Sequence, residues 1–109
     1  MKLVIAVVQD QDVGDLLAAL TKEGHFATKL ASTGGFLREG NSTVLVGADE
    51  GKVEAVIEVV RKTCRSRRQL VTPLTSVGRV EVTYFTEAVE VPVGGATVFV
   101  LDVERFVKV

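Results

Sequence analysis

The stretch "KLVIAVV" (Lys2–Val8) decides the fold of this chain. Its β-branched and aliphatic side chains run almost without a break, which predicts a central strand that is apolar on both faces. Because side chains alternate along a strand, the even-numbered residues from Val4 to Val8 would lie on one face. The odd-numbered residues from Leu3 to Val7 would lie on the other. The sheet around this strand is therefore expected to have two apolar faces.

A helix is predicted directly after this strand. Asp10 or Asp12 is expected to cap it, because a carboxylate accepts hydrogen bonds from the free amides of a first helical turn. Apolar residues recur at helical spacing from Val13 to Leu20. Gly24 then suits the left-handed position that ends many helices.

The remaining pattern supplies three further strands and a second helix. Strands are predicted at about Phe26–Ser32, at Ser42–Val46 and at Ala96–Val103, and the second helix begins at Asp49. The order is βαββαβ, the split βαβ arrangement. We therefore expect an α+β ferredoxin-like sandwich that forms one domain over residues 1–109.

A long connection precedes the last strand. Residues 64–93, called the insertion below, exceed what the βαββαβ core needs, and connections of this length are usually functional. The segments "VEVTYF" and "AVEVPV" alternate like an exposed hairpin with Thr86 and Glu87 at its tip. Pro92 would then require an edge position. A protein partner is expected to dock on the insertion.

The predicted architecture raises the question of oligomeric state. Both helices of a split βαβ cover one sheet face, so the second apolar face is left bare. A bare apolar face of several hundred Å² indicates an interaction surface. Further copies of the chain, arranged by closed symmetry, would cover it. The alternative is that the insertion folds across its own sheet.

Composition excludes several classes of protein. The chain has 109 residues, 47% of them hydrophobic and 25% charged, which is typical of a globular domain. A net charge of −1 argues against general nucleic-acid binding. The single cysteine excludes an intramolecular disulfide and a cysteine-built metal site. No apolar run approaches the ~20 residues that span a bilayer, and the N-terminus turns acidic too early for a signal peptide. A soluble, cytoplasmic protein is expected.

No catalytic arrangement stands out, so the chain is not expected to be an enzyme or to need a metal or cofactor. His25, the only histidine, is interpreted as a surface residue. Cys64 fits a small apolar residue of the core. The run "RKTCRSRRQ" (residues 61–69) concentrates five cations after the second helix. They are either solvated charges at a helix C-terminus or an anion-binding patch.

Binding is better supported, by the segment "TGGFLREGN" (residues 33–41). Gly34 and Gly35 can adopt positive φ and turn successive amides toward a phosphate. Phe36 offers a ring on which a base can stack. Asn41 carries the donor and acceptor that read an adenine edge, and Gly47 allows close backbone approach. The alternative is a tight hairpin with Phe36 in the core. A second glycine pair, directly before the last strand, favours a ligand.

These segments resemble a known family. "VIAVVQDQD", "ATKLASTGGFLREGN", "QLVTPL" and "VPVGGATVFVLDVERF" are similar to the PII-like cyclic di-AMP receptor family over essentially the whole chain. The resemblance implies a homotrimer of ferredoxin-like subunits without catalytic activity. It implies that cyclic di-AMP binds in clefts between subunits. Movement of the enlarged loop would pass the signal to a partner.

The resemblance also implies roles for individual residues. Thr28 would contact phosphate or ribose. Phe36 and Leu37 would line the base pocket, together with the backbone at Gly35. Asn41 would bind adenine, and Gly47 would allow the ligand to approach.

Two positions of the implied site depart from the family pattern. Phe26 stands where well-studied members have an arginine, and Lys108 stands where they have a glutamine from the neighbouring subunit. Loss of an arginine–phosphate contact would weaken binding by about ten- to a hundredfold. Two functions follow: a sensor of cyclic di-AMP or of another adenine nucleotide, or a trimeric interaction scaffold whose site has degraded.

Overall fold

The computed structural model describes residues 1–30, 40–71 and 89–109. A four-stranded antiparallel sheet carries two helices, and two further strands form a separate small sheet. The elements are β1 (Lys2–Gln9), α1 (Asp10–Lys22), β2 (Ala27–Leu30), β3 (Asn41–Ala48), a 3-10 turn (Glu50–Lys52), α2 (Val53–Thr63), β4 (Arg67–Val71), β5 (Val89–Val93) and β6 (Ala96–Asp102).

The main sheet has the strand order β2-β3-β1-β6, with every neighbouring pair antiparallel. β1 is central, and its Val4 lies opposite Val46 of β3 on one side and Val100 of β6 on the other. The two βαβ units are interleaved in this way, which confirms the predicted ferredoxin-like fold. No helix in the described ranges is long and apolar enough to cross a membrane.

The core lies between the sheet and the two helices. Even-numbered residues of β1 and β3 point into it and meet the apolar faces of α1 and α2, so the helical spacing seen in the sequence is confirmed. The most deeply buried side chains are Leu16, Leu20, Val4, Val8, Val44, Val46, Val56, Val60 and Cys64.

The opposite face of the sheet, called the open face below, carries the odd-numbered residues of β1. Leu3, Ile5 and Val7 are only half-buried there. Phe99 and Leu101 of β6 lie opposite Ile5 and Leu3, and they are 52% and 48% exposed. The sequence prediction of two apolar faces is therefore confirmed, and helices cover one of them.

The start of α1 differs from the prediction. Gln9 occupies the N-cap position, and no side chain caps the helix there. Asp10 instead accepts a hydrogen bond of 2.5 Å from Ser42 Oγ. Asp12 accepts one from Arg67. The expected capping role is wrong because both carboxylates bind groups from elsewhere in the fold. The helix ends as predicted, with Gly24 at φ +84°.

Several bounds also shift. β3 extends from Asn41 to Ala48, beyond the predicted Ser42–Val46. In the described residues β2 covers Ala27–Leu30, and Ser32 lies outside them. The second helix begins after Asp49, as predicted, but its first turn is a 3-10 turn. β6 ends at Asp102, one residue before Val103.

The strand β4 was not predicted. Its first half belongs to the cation-rich run, and two arginines at the start of a strand do not give an apolar alternation. β4 pairs antiparallel with β5, so that Arg67 lies opposite Val93 and Arg68 opposite Pro92. The insertion therefore begins and ends as one two-stranded sheet, called the stem below. The predicted hairpin partner, "VEVTYF", and its tip lie outside the described residues.

An ion pair attaches the stem to the main domain. Arg67 Nη2 donates to Asp12 Oδ1 at 2.8 Å, and Arg67 Nη1 lies 3.3 Å from Asp12 Oδ2 and 3.0 Å from the Arg65 carbonyl oxygen. Asp12 is buried, and its hydrogen bond raises the pKa of Arg67. Arg61 pairs with Glu58 along α2. Arg67 is thus neither a solvated charge nor part of an anion patch.

We expect Arg67→Met to destabilise the protein because it leaves a buried carboxylate without its cation. The melting temperature should fall clearly below that of Arg68→Met, the matched control, since Arg68 is exposed. Adding Asp12→Asn to Arg67→Met should restore part of the loss. Equal melting temperatures for the two arginine variants would show that the pair contributes nothing.

Cys64 offers a second test. Burial raises the pKa of its thiol from 9.0 to about 11, and the nearby Asp12 charge adds to the effect. Native protein at pH 9 should therefore resist a thiol-specific reagent that labels the urea-unfolded chain rapidly. Because the unfolded thiol loses its proton first, stability should fall between pH 9 and pH 11. Cys64→Ala should lack that part of the fall. Rapid labelling of the native protein at pH 9 would contradict this prediction.

Candidate functional site

Three chain segments meet at one end of the main sheet, where β1 ends and β3 and β6 begin. Gln9 of β1 lies opposite Asn41 of β3, and Val8 lies opposite Ala96 of β6. The pair Gly94–Gly95 precedes β6 directly, so it reaches the same end of the sheet. Gln9, Asn41 and Gly94 therefore lie at the same end of the sheet.

Asn41 is positioned by the strand that it begins. Its neighbour Ser42 faces the helices and donates to Asp10, so Asn41 lies on the open face. The Asp10 amide donates to the Gly40 carbonyl oxygen at 2.8 Å, which holds the turn before Asn41 against the start of α1. The half-buried Asn41 therefore lies on a chain that is held on both sides of it, at Gly40 and at Ser42.

Gln9 was not singled out by the sequence reasoning. Its Oε1 accepts a hydrogen bond of 2.7 Å from the Gly94 backbone amide, which joins β1 to the end of the stem. Next to it, the Gly95 amide donates to the Cys64 carbonyl oxygen at 2.5 Å. A glutamine at the end of an apolar strand gave no signal, because its partner is 85 residues away.

The glycine pair itself has a clear conformational reason. Gly94 and Gly95 have φ of +81° and +85°, where side chains are rarely tolerated. A Cβ at Gly94 would also clash with the Arg65 carbonyl oxygen and with Arg67 Nη1. Glycine is therefore required where the stem returns to the sheet.

Two further predicted residues share the open face. Thr28 of β2 lies opposite Leu45, and its side chain is exposed. Gly47 is exposed as well, and a Cβ there would meet only Met1 Sδ, at 3.9 Å. Asn41 and Gly47 are six residues apart on β3, or about 20 Å along the strand. Asn41 and Gly47 therefore lie toward opposite ends of β3 rather than at one point.

Phe26 and Lys108 belong to different parts of the chain, one before β2 and the other after β6. Phe26 directly precedes the edge strand β2 and is 89% exposed. Continuing the β2–β3 register brings Phe26 opposite Gly47. Lys108 is exposed in the C-terminal segment that follows β6, the other edge strand. Gly35, Phe36 and Leu37 lie outside the described residues.

Thr43 lies between Asn41 and Leu45 on the open face. It is only 6% exposed, and its Oγ1 finds no hydrogen-bond partner among the residues that the structure describes. Leaving a buried hydroxyl unsatisfied costs ~1–3 kcal/mol. The sequence analysis did not single out this hydroxyl, because threonine is a common residue in strands and gives no signal there.

The other candidate chemistry does not assemble into a site. His25 is half-buried, and its backbone amide donates to the Leu20 carbonyl oxygen. In the described ranges, no three histidine, cysteine or acidic residues are grouped to hold a metal. A cleft of about 330 Å³ lies between α2 and the start of β6, and Cys64 forms part of its lining. Burial raises the pKa of the Cys64 thiol to about 11, which keeps the thiol neutral.

Comparison with known proteins fits this architecture. A crystal structure of a functionally unknown protein from Pediococcus pentosaceus ATCC 25745 is 39% identical, with a TM-score of 0.78. The match covers 99% of this chain and 96% of that protein. The sequence matches the cyclic-di-AMP receptor family over residues 1–109, which confirms the resemblance seen in its motifs. Membership implies a binding rather than a catalytic role, with that nucleotide as ligand. The chain belongs to the cyclic-di-AMP receptor family.

Proposed function

We propose that this chain is a non-catalytic, PII-like signal-transduction protein that binds cyclic di-AMP between the subunits of a homotrimer. The observation that carries the proposal is that Thr28, Asn41 and Gly47, in a chain of this family, all lie on the open face. One ligand class therefore accounts for all three of these residues.

The chemistry of these residues suits an adenine dinucleotide. The Asn41 carboxamide offers one donor and one acceptor, as an adenine edge requires. The Thr28 hydroxyl is exposed and can donate to a phosphate oxygen or a ribose. Gly35 would contribute backbone amides, and Phe36 and Leu37 would contribute the apolar walls of the base pocket.

The open face supports the proposed trimer. Phe99 and Leu101 of the edge strand β6 leave about half of their surface in water, where they form an apolar patch with Ile5 and Leu3 of β1. Closed threefold symmetry would bury this patch. It would also bring residues of a neighbour toward the Thr43 hydroxyl. The resemblance implies that Phe26 and Lys108 come to one ligand from two neighbouring subunits.

The insertion would carry the signal. Its stem is bonded to Asp12 through Arg67 and to Gln9 through Gly94, so its base is rigidly attached beside Asn41. A change at the nucleotide site would thus reach residues 64–93, where a protein partner would bind. We place this function in the bacterial cytoplasm, where a soluble second messenger acts.

A trimeric scaffold, or a sensor of another adenine nucleotide, is the second candidate. Phe26 favours it, because an apolar ring that is 89% exposed stands where the resemblance implies an arginine. Lys108 likewise replaces the glutamine that the family would supply. In that case the insertion docks a partner without response to cyclic di-AMP.

The oligomer is tested by light scattering at micromolar concentration. A homotrimer should give about 35 kDa, three times the 11.7 kDa of one chain. Phe99→Asp should shift the protein toward monomer, because it buries a charge in the proposed interface. Leu70→Asp is the matched control, since Leu70 is 66% exposed on the stem rather than on the open face. A wild-type mass of 11.7 kDa would refute the trimer.

Ligand binding is tested by calorimetric titration with cyclic di-AMP, cyclic di-GMP, ATP and AMP. Asn41→Ala should lose ~1–2 kcal/mol of affinity for cyclic di-AMP, about five- to thirtyfold, without unfolding. Gly35→Ala should weaken binding by adding a methyl group where the ligand approaches. Phe26→Arg should strengthen it through a charge-assisted phosphate contact.

The control for Phe26→Arg is Leu70→Arg, which adds the same charge on the stem. Melting curves for every variant separate loss of fold from loss of binding. If the wild type gives no heat with cyclic di-AMP and Phe26→Arg restores none, the scaffold function is the correct one. Heat only with ATP or AMP would identify another adenine nucleotide as the ligand.

A further inference from the structure

We propose that Gln9 is a second amide of the nucleotide site, which donates a hydrogen bond from Nε2 to a ring nitrogen of the adenine bound beside Asn41. This inference rests on the proposed function and adds a ligand-contacting residue to it. The same side chain holds the end of the stem through its oxygen, so one residue contacts both the ligand and the insertion.

The first argument is the sheet register. Gln9 and Asn41 lie directly opposite one another in the antiparallel β1–β3 pair. Residues opposed in this way share a face, and their Cβ atoms lie about 4.5–5.5 Å apart. Since Asn41 is on the open face, the Gln9 side chain begins beside it on the same face. A base that reaches Asn41 is therefore within reach of a glutamine.

The second argument is the orientation of the Gln9 amide. The Gly94 backbone N–H can only donate, so the atom that faces it at 2.7 Å must be the oxygen Oε1. Gln11 Nε2 also approaches this oxygen, at 3.5 Å. The contact thereby fixes which end of the carboxamide is nitrogen. In the described part of the chain, Nε2 donates no hydrogen bond, and Gln9 is half-buried.

The third argument is the rigidity of the Gly94 donor. Gly94 is held at φ +81° against the Arg65 carbonyl oxygen and Arg67, and the following amide is bonded to Cys64. Arg67 is in turn bonded to the buried Asp12. The Gln9 carboxamide is therefore oriented before any ligand arrives, which lowers the entropy cost of the contact.

The chemistry of the pair matches adenine. Each adenine edge presents at least one ring nitrogen that accepts a hydrogen bond and carries no proton. Asn41 can pair with the exocyclic amine and one ring nitrogen. Gln9, with its oxygen already engaged, offers only a donor. Its complement is a second acceptor of the same base, and adenine keeps two ring nitrogens that can accept after Asn41 has used one.

The test separates the two ends of the Gln9 side chain. Gln9→Glu keeps an oxygen for the Gly94 amide but removes the donor, whereas Gln9→Met removes both. Gln11→Met is the control, because Gln11 is exposed on the same junction. Calorimetric titration with cyclic di-AMP measures affinity, and hydrogen exchange at the Gly94 amide measures attachment of the stem.

We expect Gln9→Glu and Gln9→Met each to weaken binding about tenfold, the value of one hydrogen bond, while Gln11→Met binds as the wild type does. Exchange at Gly94 should stay slow in Gln9→Glu and become faster in Gln9→Met. Because the methionine variant is neutral, a loss shared by both variants belongs to the missing donor and not to the added charge.

Four results would overturn the inference. Wild-type affinity in both variants would show that Gln9 does not contact the ligand. A loss in Gln9→Met alone would mean that it acts only through the stem, and a loss in Gln9→Glu alone would be a charge effect. If the wild type itself does not bind cyclic di-AMP, the proposed function fails and this inference fails with it. The wild-type titration thus separates the two failures.

Discussion

The pairing of the apolar strand β1 with a neighbouring strand on each edge is the constraint on which the rest of the structure depends. β1 is hydrogen-bonded to β3 and β6 along its length, so its even-numbered residues meet the helices and its odd-numbered residues form the middle of the open face. The helices satisfy only one of these faces. Burying apolar surface is worth roughly 25 cal/mol per Å². An apolar strand at the centre of a half-covered sheet therefore favours assembly.

The end of β1 carries a second constraint, because four consecutive polar residues (Gln9–Asp12) follow the apolar run. In an isolated helix, an acidic residue here would cap the first turn. Instead, Asp10 binds Ser42, Asp12 binds Arg67, and Gln9 binds Gly94. Tertiary contacts have replaced local ones, and the helix has no side-chain cap. The junction thereby ties β3 and the stem to one point of the chain.

The distinction between local and long-range contacts explains what the sequence could predict. Helix spacing, the stop at Gly24 and the order of the strands depend on residues close in the chain, and these predictions are confirmed. β4 was not predicted for two reasons. It pairs with β5, which lies about twenty residues further along the chain, and its two arginines interrupt the alternation of apolar and polar residues that indicates a strand. The contacts of Gln9 with Gly94 and of Arg67 with Asp12 were not predicted, because the partners are 85 and 55 residues apart. The shared face of Asn41 and Gly47 could be foreseen only through strand alternation.

The location of the candidate residues has a consequence for how a ligand and an assembly would influence each other. Thr28, Asn41 and Gly47 lie on the same face whose apolar centre calls for a neighbouring subunit, and they span about 20 Å of it. A ligand held between subunits on this face binds the assembled state and not the separated one. By linkage, such a ligand stabilises the assembly by RT ln(1 + [L]/Kd) per site. The exposed Phe26 ring at the edge of this face would weaken phosphate binding while adding apolar contact area. In the proposed trimer, this ring would therefore make assembly less dependent on the ligand, and nucleotide would then act mainly on the stem.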